Sequence, residues 1–156
     1  RGAPQPPLER QLAVPQSASF EGVRLAGFDL HRTVRDGVCE ARPGEALVLD
    51  LFWEATAPIA RDYTVFTHLV GAAHNPRTNG PVWAQHDGPP VDGTYPTSTW
   101  EVGQLLRDRH VLVLDAATPP GLYELEVGLY APDTGARLGR LDADEDRVVL
   151  LHVRLK

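Results

Sequence analysis

The side chains best suited to binding chemistry cluster between positions 83 and 100. Trp83, Tyr95 and Trp100 supply flat aromatic faces, on which sugar rings stack their C–H groups, while polar neighbours bond the sugar hydroxyls. The alternative is that these aromatic side chains pack into the core, with Trp100 anchoring its loop from below. The first interpretation predicts a ligand contact surface made of Trp83, Gln85, Asp87, Tyr95, Thr97 and Trp100.

The chain between positions 84 and 100 has the composition of a loop with a fixed shape. Pro89, Pro90 and Pro96 restrict φ and lack backbone donors, whereas Gly88 and Gly93 permit conformations closed to other residues. Loops held by a rigid scaffold often carry function. We therefore expect this loop to present the contact surface.

Six histidines raise the question of a metal site, but none stands in a His-x-His or His-Glu-x-x-His pattern. His68, His86 and His110 fall in predicted strands and could meet on one sheet face, although separate structural roles are the favoured interpretation. For calcium, Asp87 and Asp92 would supply oxygen ligands. The favoured alternative is that Asp87 accepts backbone N–H bonds and ties the loop together. The sequence predicts no metal and no cofactor.

Motifs for hydrolysis are equally absent from the sequence. The three serines stand outside any Gly-x-Ser-x-Gly pattern. Asp50 with Glu54, and Glu124 with Glu126, share strand faces at period two, which favours a solvated sheet surface over a two-carboxylate cleft. Cys39 is the only cysteine, so no intrachain disulfide can form. The sequence predicts that this domain is not an enzyme. A small hydrolase or metal enzyme is the alternative, and it would require histidines that converge in space or an acidic cleft.

Composition restricts the classes of partner. The chain has 156 residues, 42% of them hydrophobic, which fits one compact domain. A formal net charge of -6 with scattered arginines argues against nucleic acid and against an anionic membrane surface. No apolar run reaches the roughly 18 residues that a membrane-spanning helix needs, so we expect no direct membrane insertion.

The elements that position these side chains are predicted to be strands, because the apolar pattern has period two. The sequence predicts about eight strands, with an irregularity at Ala26 and Gly27 in the first: 23–30, 47–54, 63–70, 82–86, 105–114, 122–130, 136–141 and 147–155. This pattern indicates an all-β, two-sheet antiparallel β-sandwich, jelly-roll-like, with an immunoglobulin-like sandwich as the alternative. Residues 1–19 are rich in proline and predict a disordered linker, so the sandwich domain is expected over 20–156.

The motifs along the chain resemble a β-sandwich domain at the C-terminal end of membrane glycosyltransferases of the dolichyl-phosphate-mannose type and related surface proteins of Chloroflexi-like bacteria. They cover nearly all of the chain after the linker: 25–30, 43–45, 51–53, 62–69, 85–90, 93–100, Asp108, 121–130 and 137–138. One departure is the insertion at 74–80, where that family has a short hairpin turn, and it would lengthen the rim beside Trp83.

This resemblance implies an extracytoplasmic or cell-surface location as part of a larger membrane protein, which agrees with the proline-rich start and the missing signal peptide. It supplies no catalytic residues. We therefore expect a non-catalytic module that binds a glycan or assists the membrane-embedded portion of the same polypeptide. The alternative is a purely structural or protein-interaction domain whose loop is a rigid plug.

Overall fold

The computed structural model describes residues 14–156, with side chains described from Ser17 onward. Within this range the chain forms ten strands and two short 3₁₀ turns, Pro90–Gly93 and Thr97–Thr99, and no α-helix. The strands are β1 (Val14–Phe20), β2 (Val23–Leu30), β3 (Val34–Arg35), β4 (Val38–Ala41), β5 (Ala46–Ala55), β6 (Thr64–Asn75), β7 (Gly80–Gly88), β8 (Leu105–Val113), β9 (Gly121–Tyr130) and β10 (Val148–Leu155). None of the described elements is a helix able to cross a membrane.

The strands form two sheets, which confirms the predicted all-β sandwich. The first sheet has the order β1-β2-β5-β8, and the second has the order β3-β4-β10-β9-β6-β7. All described pairs are antiparallel except β4 and β10, which run parallel. A run of four strands in the order β10-β9-β6-β7 beside a sheet built on β2-β5-β8 is the arrangement of the immunoglobulin-like alternative.

Alternation of side chains along each strand builds the core between the sheets. In β8 the buried residues are every second one, from Leu106 through Asp108 and His110 to Leu112. On the neighbouring strand β5, Trp53 pairs with Leu106, and its side chain has no exposed surface. Two polar residues therefore occupy inward positions of β8, where the period-two rule places apolar side chains.

Two expectations about strand detail have clear outcomes. The register between β2 and β5 shifts between Leu25 and Gly27, so the predicted irregularity at this point is confirmed as a bulge. The predicted strand at 136–141 does not form and makes only isolated bridges, Phe20 to Arg140 and Tyr130 to Arg137. The short strands β3 and β4 were not predicted, because two to four residues are too few to show a period.

The predicted linker limit at Ser19 requires correction. Strand β1 pairs with β2 from Val14 to Phe20, so the sandwich begins within the proline-rich stretch. Pro15 is tolerated because β1 is the edge strand of its sheet, where a missing N–H need not break a ladder. The remainder of the predicted linker, 1–13, lies outside the described residues.

Candidate functional site

The strands β7 and β8 are the last strands of their two sheets and face each other across one open side of the sandwich. The segment that joins them, residues 89–104, covers this side. We call its first part, residues 89–100, the plug segment. The predicted contact surface is divided between β7 and this plug segment.

Aromatic side chains of the plug segment are buried, which is contrary to the predicted contact surface. Tyr95 is 2% exposed and Trp100 is 6% exposed, and both belong to the hydrophobic core. The Trp100 indole N–H donates to the Tyr95 carbonyl at 2.8 Å, which closes the turn from inside. These two side chains therefore anchor the segment and offer no face to a sugar.

Thr97 also has a structural role rather than a ligand contact. It has no exposed surface. Its hydroxyl accepts a hydrogen bond from the Tyr63 N–H at 3.0 Å and donates to the Arg61 carbonyl. Ser98 N–H donates to the Asp62 carboxylate at 2.9 Å. The plug segment is therefore tied to the 61–63 loop by backbone and side-chain bonds together.

The other three predicted contact residues, all on β7, retain solvent access. Gln85 and Asp87 are exposed, and Trp83 is half-buried. The Trp83 indole N–H donates to the Ala73 carbonyl at 3.0 Å, which fixes the ring against the β6–β7 hairpin. Asp87 points toward the outer face of its sheet, where its carboxylate accepts from the Tyr130 hydroxyl at 3.2 Å. Asp87 lines no hollow together with Trp83 and Gln85.

A hollow of about 340 Å³ lies beside Trp83 at one end of the open side. Trp83 and Gln85 line it together with Asn75, Arg77 and Asp115, and the last two form an ion pair across its rim. The rim is the 74–80 insertion noted in the sequence. Asn75 stiffens it, because its side-chain amide donates to the Val82 carbonyl at 3.0 Å and its oxygen accepts the Arg77 N–H. An aromatic surface and several polar groups thus converge on one hollow.

A second hollow, of about 240 Å³, lies further along the open side and is lined by two histidines. His86 of β7 and His110 of β8 bring their Nδ1 atoms within 2.8 Å of each other, with the ring planes 76° apart. His110 is 1% exposed, and its Nε2 lies 2.7 Å from the Asp108 carboxylate. A continuous chain of hydrogen bonds therefore joins β7 to the interior of β8.

Asp108 is the centre of this network. It is 1% exposed and accepts hydrogen bonds from the Val91 N–H at 2.8 Å and the Trp53 indole N–H at 3.3 Å, besides the imidazole of His110. Three donors satisfy the acceptor oxygens of a side chain that burial removes from water. Asp108 therefore fixes His110 with its proton on Nε2 and holds the plug segment at Val91.

Only one proton fits between the two imidazoles. At 2.8 Å either Nδ1 can donate to the other, but two N–H groups pointing at each other would clash. Since His110 Nε2 is committed to Asp108, the neutral pair has one N–H between the rings, and His86 then leaves Nε2 as its acceptor. The neutral pair therefore shares one proton between its two Nδ1 atoms.

His68 does not join this pair, so of the three histidines that could have met, only His86 and His110 do so. It lies on the outer face of the second sheet, with its ring 4.8 Å from Phe66. Its Nε2 is 3.2 Å from the Asp87 carboxylate without hydrogen-bond geometry, and neither ring nitrogen has a hydrogen-bond partner among the described residues. The predicted role of Asp87 in tying the loop is wrong, because Asp108 performs it.

A third polar cluster, Asp29, His31 and Asp50, brings three ligand-type atoms within 4.8 Å of one another. Its cation is already supplied: Arg109 donates to both oxygens of Asp50, at 2.8 and 3.1 Å. Burial acts to raise the pKa of Asp50, but hydrogen bonds from Arg109 and His31 outweigh it and the pKa lies below its ordinary value. We interpret this cluster as a structural ion-pair network, since Arg109 and His31 already bond the oxygens of Asp50.

Asp108 received no role of its own from sequence reasoning, which considered a meeting of His86 with His110 only on one sheet face, whereas the two meet between the sheets. A signal was present, because Asp108 and His110 stand at the two inward positions between Leu106 and Leu112. Buried polar side chains need hydrogen-bond partners, so polar residues at the inward positions of a strand indicate an internal hydrogen-bond network.

Comparisons with known proteins bear on the fold. The chain matches no protein-family model and no curated protein. Among solved structures it is similar to a Niemann-Pick type C2 protein from the Japanese carpenter ant, with a TM-score of 0.50 and 8% identity over 94% of this chain and 98% of that one. It also aligns with part of a Pseudomonas fluorescens alkylpurine DNA glycosylase, AlkC, bound to DNA containing an abasic site analog, with a TM-score of 0.47 and 16% identity over 86% of this chain and 30% of that one. The first likeness supports an immunoglobulin-like β-sandwich and nothing further, and no conclusion rests on the second.

Proposed function

We propose that this domain is a non-catalytic module that binds a carbohydrate in the hollow beside Trp83. The observation that carries the proposal is the meeting of the half-buried Trp83 ring and the exposed Gln85 amide on one hollow of about 340 Å³. That volume lies at the small end of the range for ligand sites, which suits one or two sugar units. Of the predicted contact residues, the proposed site includes Trp83 and Gln85. It excludes Tyr95, Thr97 and Trp100, which are buried.

Trp83 supplies the apolar part of the contact. Its indole is held by the Ala73 carbonyl, so stacking a sugar on the exposed part of the ring needs little further ordering of the side chain. Gly71 permits this packing, since a Cβ there would lie 3.3 Å from the Trp83 ring and within 2.5 Å of Tyr123. The aromatic surface is therefore preorganised.

The polar part comes from the rim of the hollow. Gln85 offers both a donor and an acceptor, and the Arg77 and Asp115 ion pair offers charged groups that bond vicinal hydroxyls. Sugars need this mixture because their hydroxyl groups must exchange water for hydrogen bonds of similar strength. The resemblance to domains of membrane glycosyltransferases supports a glycan ligand and an extracytoplasmic location within a larger membrane protein.

A structural or protein-interaction domain is the second candidate. It is favoured by the plug segment, whose aromatic side chains and Thr97 are all used internally. The two candidates make different predictions for the Trp83 hollow, because only the first requires Trp83 and Gln85 to affect binding.

A glycan array followed by calorimetry on the selected sugar distinguishes the candidates. We expect saturable binding that falls about tenfold in Trp83→Ala and less in Trp83→Phe, because an aromatic contact contributes roughly 0.5–1.5 kcal/mol beyond its buried area. Leu141→Ala is the matched control, since it removes an apolar side chain that is 70% exposed and lies outside the hollow. No binding to any glycan, or binding that Trp83→Ala and Gln85→Ala leave unchanged in folded protein, would refute the proposal and favour the structural domain.

A further inference from the structure

A hollow of about 590 Å³ lies where β3, β4 and β10 run side by side in the second sheet. It is larger than the hollow beside Trp83 and shares no residue with it. We propose that Arg35 and Arg154, with Arg32 as a fixed third charge, bind the phosphate group of a small phosphomonoester in this hollow. The three arginines line it together with Thr33, Asp36, Val38 and Glu40.

The alternation of side chains along the strands places the two arginines on one face of the sheet. Val153 of β10 is buried in the core, so its neighbour Arg154 faces outward, as does Glu40, which pairs with it in register. Arg35 of β3 pairs with Val38 of β4 and shares that face. The two guanidinium groups therefore come from the strands on either side of β4, whose outward side chains lie between them.

The hairpin that carries Arg35 is fixed by its turn and by its neighbour strand. The two turn residues, Asp36 and Gly37, have φ values of 52° and 74°, as the type I′ turn of a two-residue hairpin requires. The Gly37 carbonyl accepts a hydrogen bond from the His152 N–H at 2.8 Å, which ties the turn to β10. The backbone that carries Arg35 and Arg154 is thus ordered without a ligand, and this lowers the cost of binding one.

The side chains of Arg35 and Arg154 keep their hydrogen-bond donors for a ligand. Both are exposed, and neither makes a hydrogen bond or an ion pair within the described part of the chain; Arg154 acts on Glu40 only through its charge. Arg32 differs, because its two terminal nitrogens donate to the Glu40 and Ala46 carbonyls, each at 3.2 Å. It therefore adds a positive charge whose position does not depend on a ligand.

The balance of charge in the hollow favours an anion, although the formal net charge of the chain is -6. Its three guanidinium groups are accompanied by the carboxylates of Asp36 and Glu40. Lys156 forms an ion pair with Glu40, and Arg32 forms one with Glu45 at 3.4 Å. Of the described groups at the hollow, two unpaired guanidinium groups therefore outweigh one unpaired carboxylate, that of Asp36.

A phosphate monoester fits these donors better than a carboxylate does. It carries roughly 1.5–2 negative charges at neutral pH and three acceptor oxygens. Guanidinium groups on two sides can therefore each bind it through two hydrogen bonds, whereas one guanidinium satisfies the two coplanar oxygens of a carboxylate. The volume leaves room for the organic part of the molecule, which can lie on the half-buried Val38. Two free arginines are too few for the phosphate backbone of a nucleic acid.

Titration of the full chain with phenyl phosphate at constant ionic strength tests the proposal, followed by calorimetry and by ¹H–¹⁵N spectra of the arginine Nε–H groups. We expect saturable binding with a dissociation constant of about 1 mM or below, weakened about tenfold by Arg35→Gln and by Arg154→Gln. Arg61→Gln is the matched control, because it removes the same charge from an exposed arginine outside the hollow. All three side chains are exposed, so the variants should fold, which urea unfolding checks.

Three results would overturn the site. They are the absence of saturation at about 20 mM phenyl phosphate, affinity that Arg35→Gln and Arg154→Gln leave unchanged, and equal weakening by Arg61→Gln, which would indicate attraction to overall charge. Benzoate that binds as tightly as phenyl phosphate would contradict the choice of phosphate, and inorganic phosphate that does so would contradict a role for the organic part. None of these measurements uses a glycan, so this site and the one beside Trp83 can fail separately.

Discussion

Trp100 anchors the plug segment in the core, so its replacement by alanine should lower the free energy of unfolding. The size of this loss can be calculated from its burial and its hydrogen bond. The side chain is 6% exposed, packs in the core and donates its N–H to the Tyr95 carbonyl. Truncating a buried Trp to Ala costs about 3–5 kcal/mol, which includes the lost transfer energy and the cavity. A domain of this kind has roughly 5–15 kcal/mol of stability in total, so the variant should remain folded but weakened.

Urea unfolding followed by far-UV circular dichroism measures this change, because tryptophan fluorescence would itself be altered by the substitution. Trp100→Phe should lose only about 1–2 kcal/mol, since it keeps most of the ring but leaves the Tyr95 carbonyl without its donor. The slope of the free energy against urea must stay constant for the comparison to hold. A loss below about 1 kcal/mol in Trp100→Ala would refute the anchoring role, and loss of glycan binding in the folded variant would return the plug segment to the contact surface.

Two further predictions concern buried carboxylates. Asp108→Asn should destabilise the domain by about 2–4 kcal/mol, because an amide cannot accept from all three donors and charged hydrogen bonds contribute about 1.5–3 kcal/mol each; equal urea midpoints for this variant and wild type would contradict it. Asp50→Asn should be less stable than wild type near neutral pH, and the difference should vanish in acid. The folded-state pKa of Asp50 is lowered, so the unfolded state binds the proton first and the stabilisation disappears as the pH falls below the ordinary value of 3.8. A difference that grows as the pH falls, in urea midpoints measured across this range, would show that the sign is wrong.

The strands could be predicted from sequence because their information is local. Alternation in 47–54 and 105–114 identifies β5 and β8 to within a residue at each end, whereas 63–70 finds the start of β6 and stops before its last residues, which continue to Asn75. The bulge near Gly27 could be predicted for the same reason, because one alternating apolar pattern ends there and another begins. The parallel pairing of β4 with β10 was not, because it joins segments over a hundred residues apart.

The site was predictable only in part, because it depends on which faces of two sheets meet. A period of two shows that Asp50 and Glu54 share a face, but not that Arg109 of β8 lies opposite Asp50 and makes it a buried ion pair rather than part of a solvated surface. Burial of Glu126, which raises its pKa, has the same origin. The sequence indicated Tyr95 and Trp100 as contact residues because composition does not show whether a side chain points into the core or into solvent.

The open side of the sandwich gives the plug segment a role that is independent of any ligand. Strands β7 and β8 each end a sheet, and an unpaired strand edge invites association with another chain. The plug segment crosses this side and is fixed at three places: by Trp100 in the core, by Thr97 on the 61–63 loop and by Val91 on Asp108. Beside this segment, hollows remain open to solvent next to Trp83, next to His86, and between Val91 and Arg107. The plug segment therefore protects two strand edges from pairing with another chain, whether or not a ligand occupies the hollow beside Trp83.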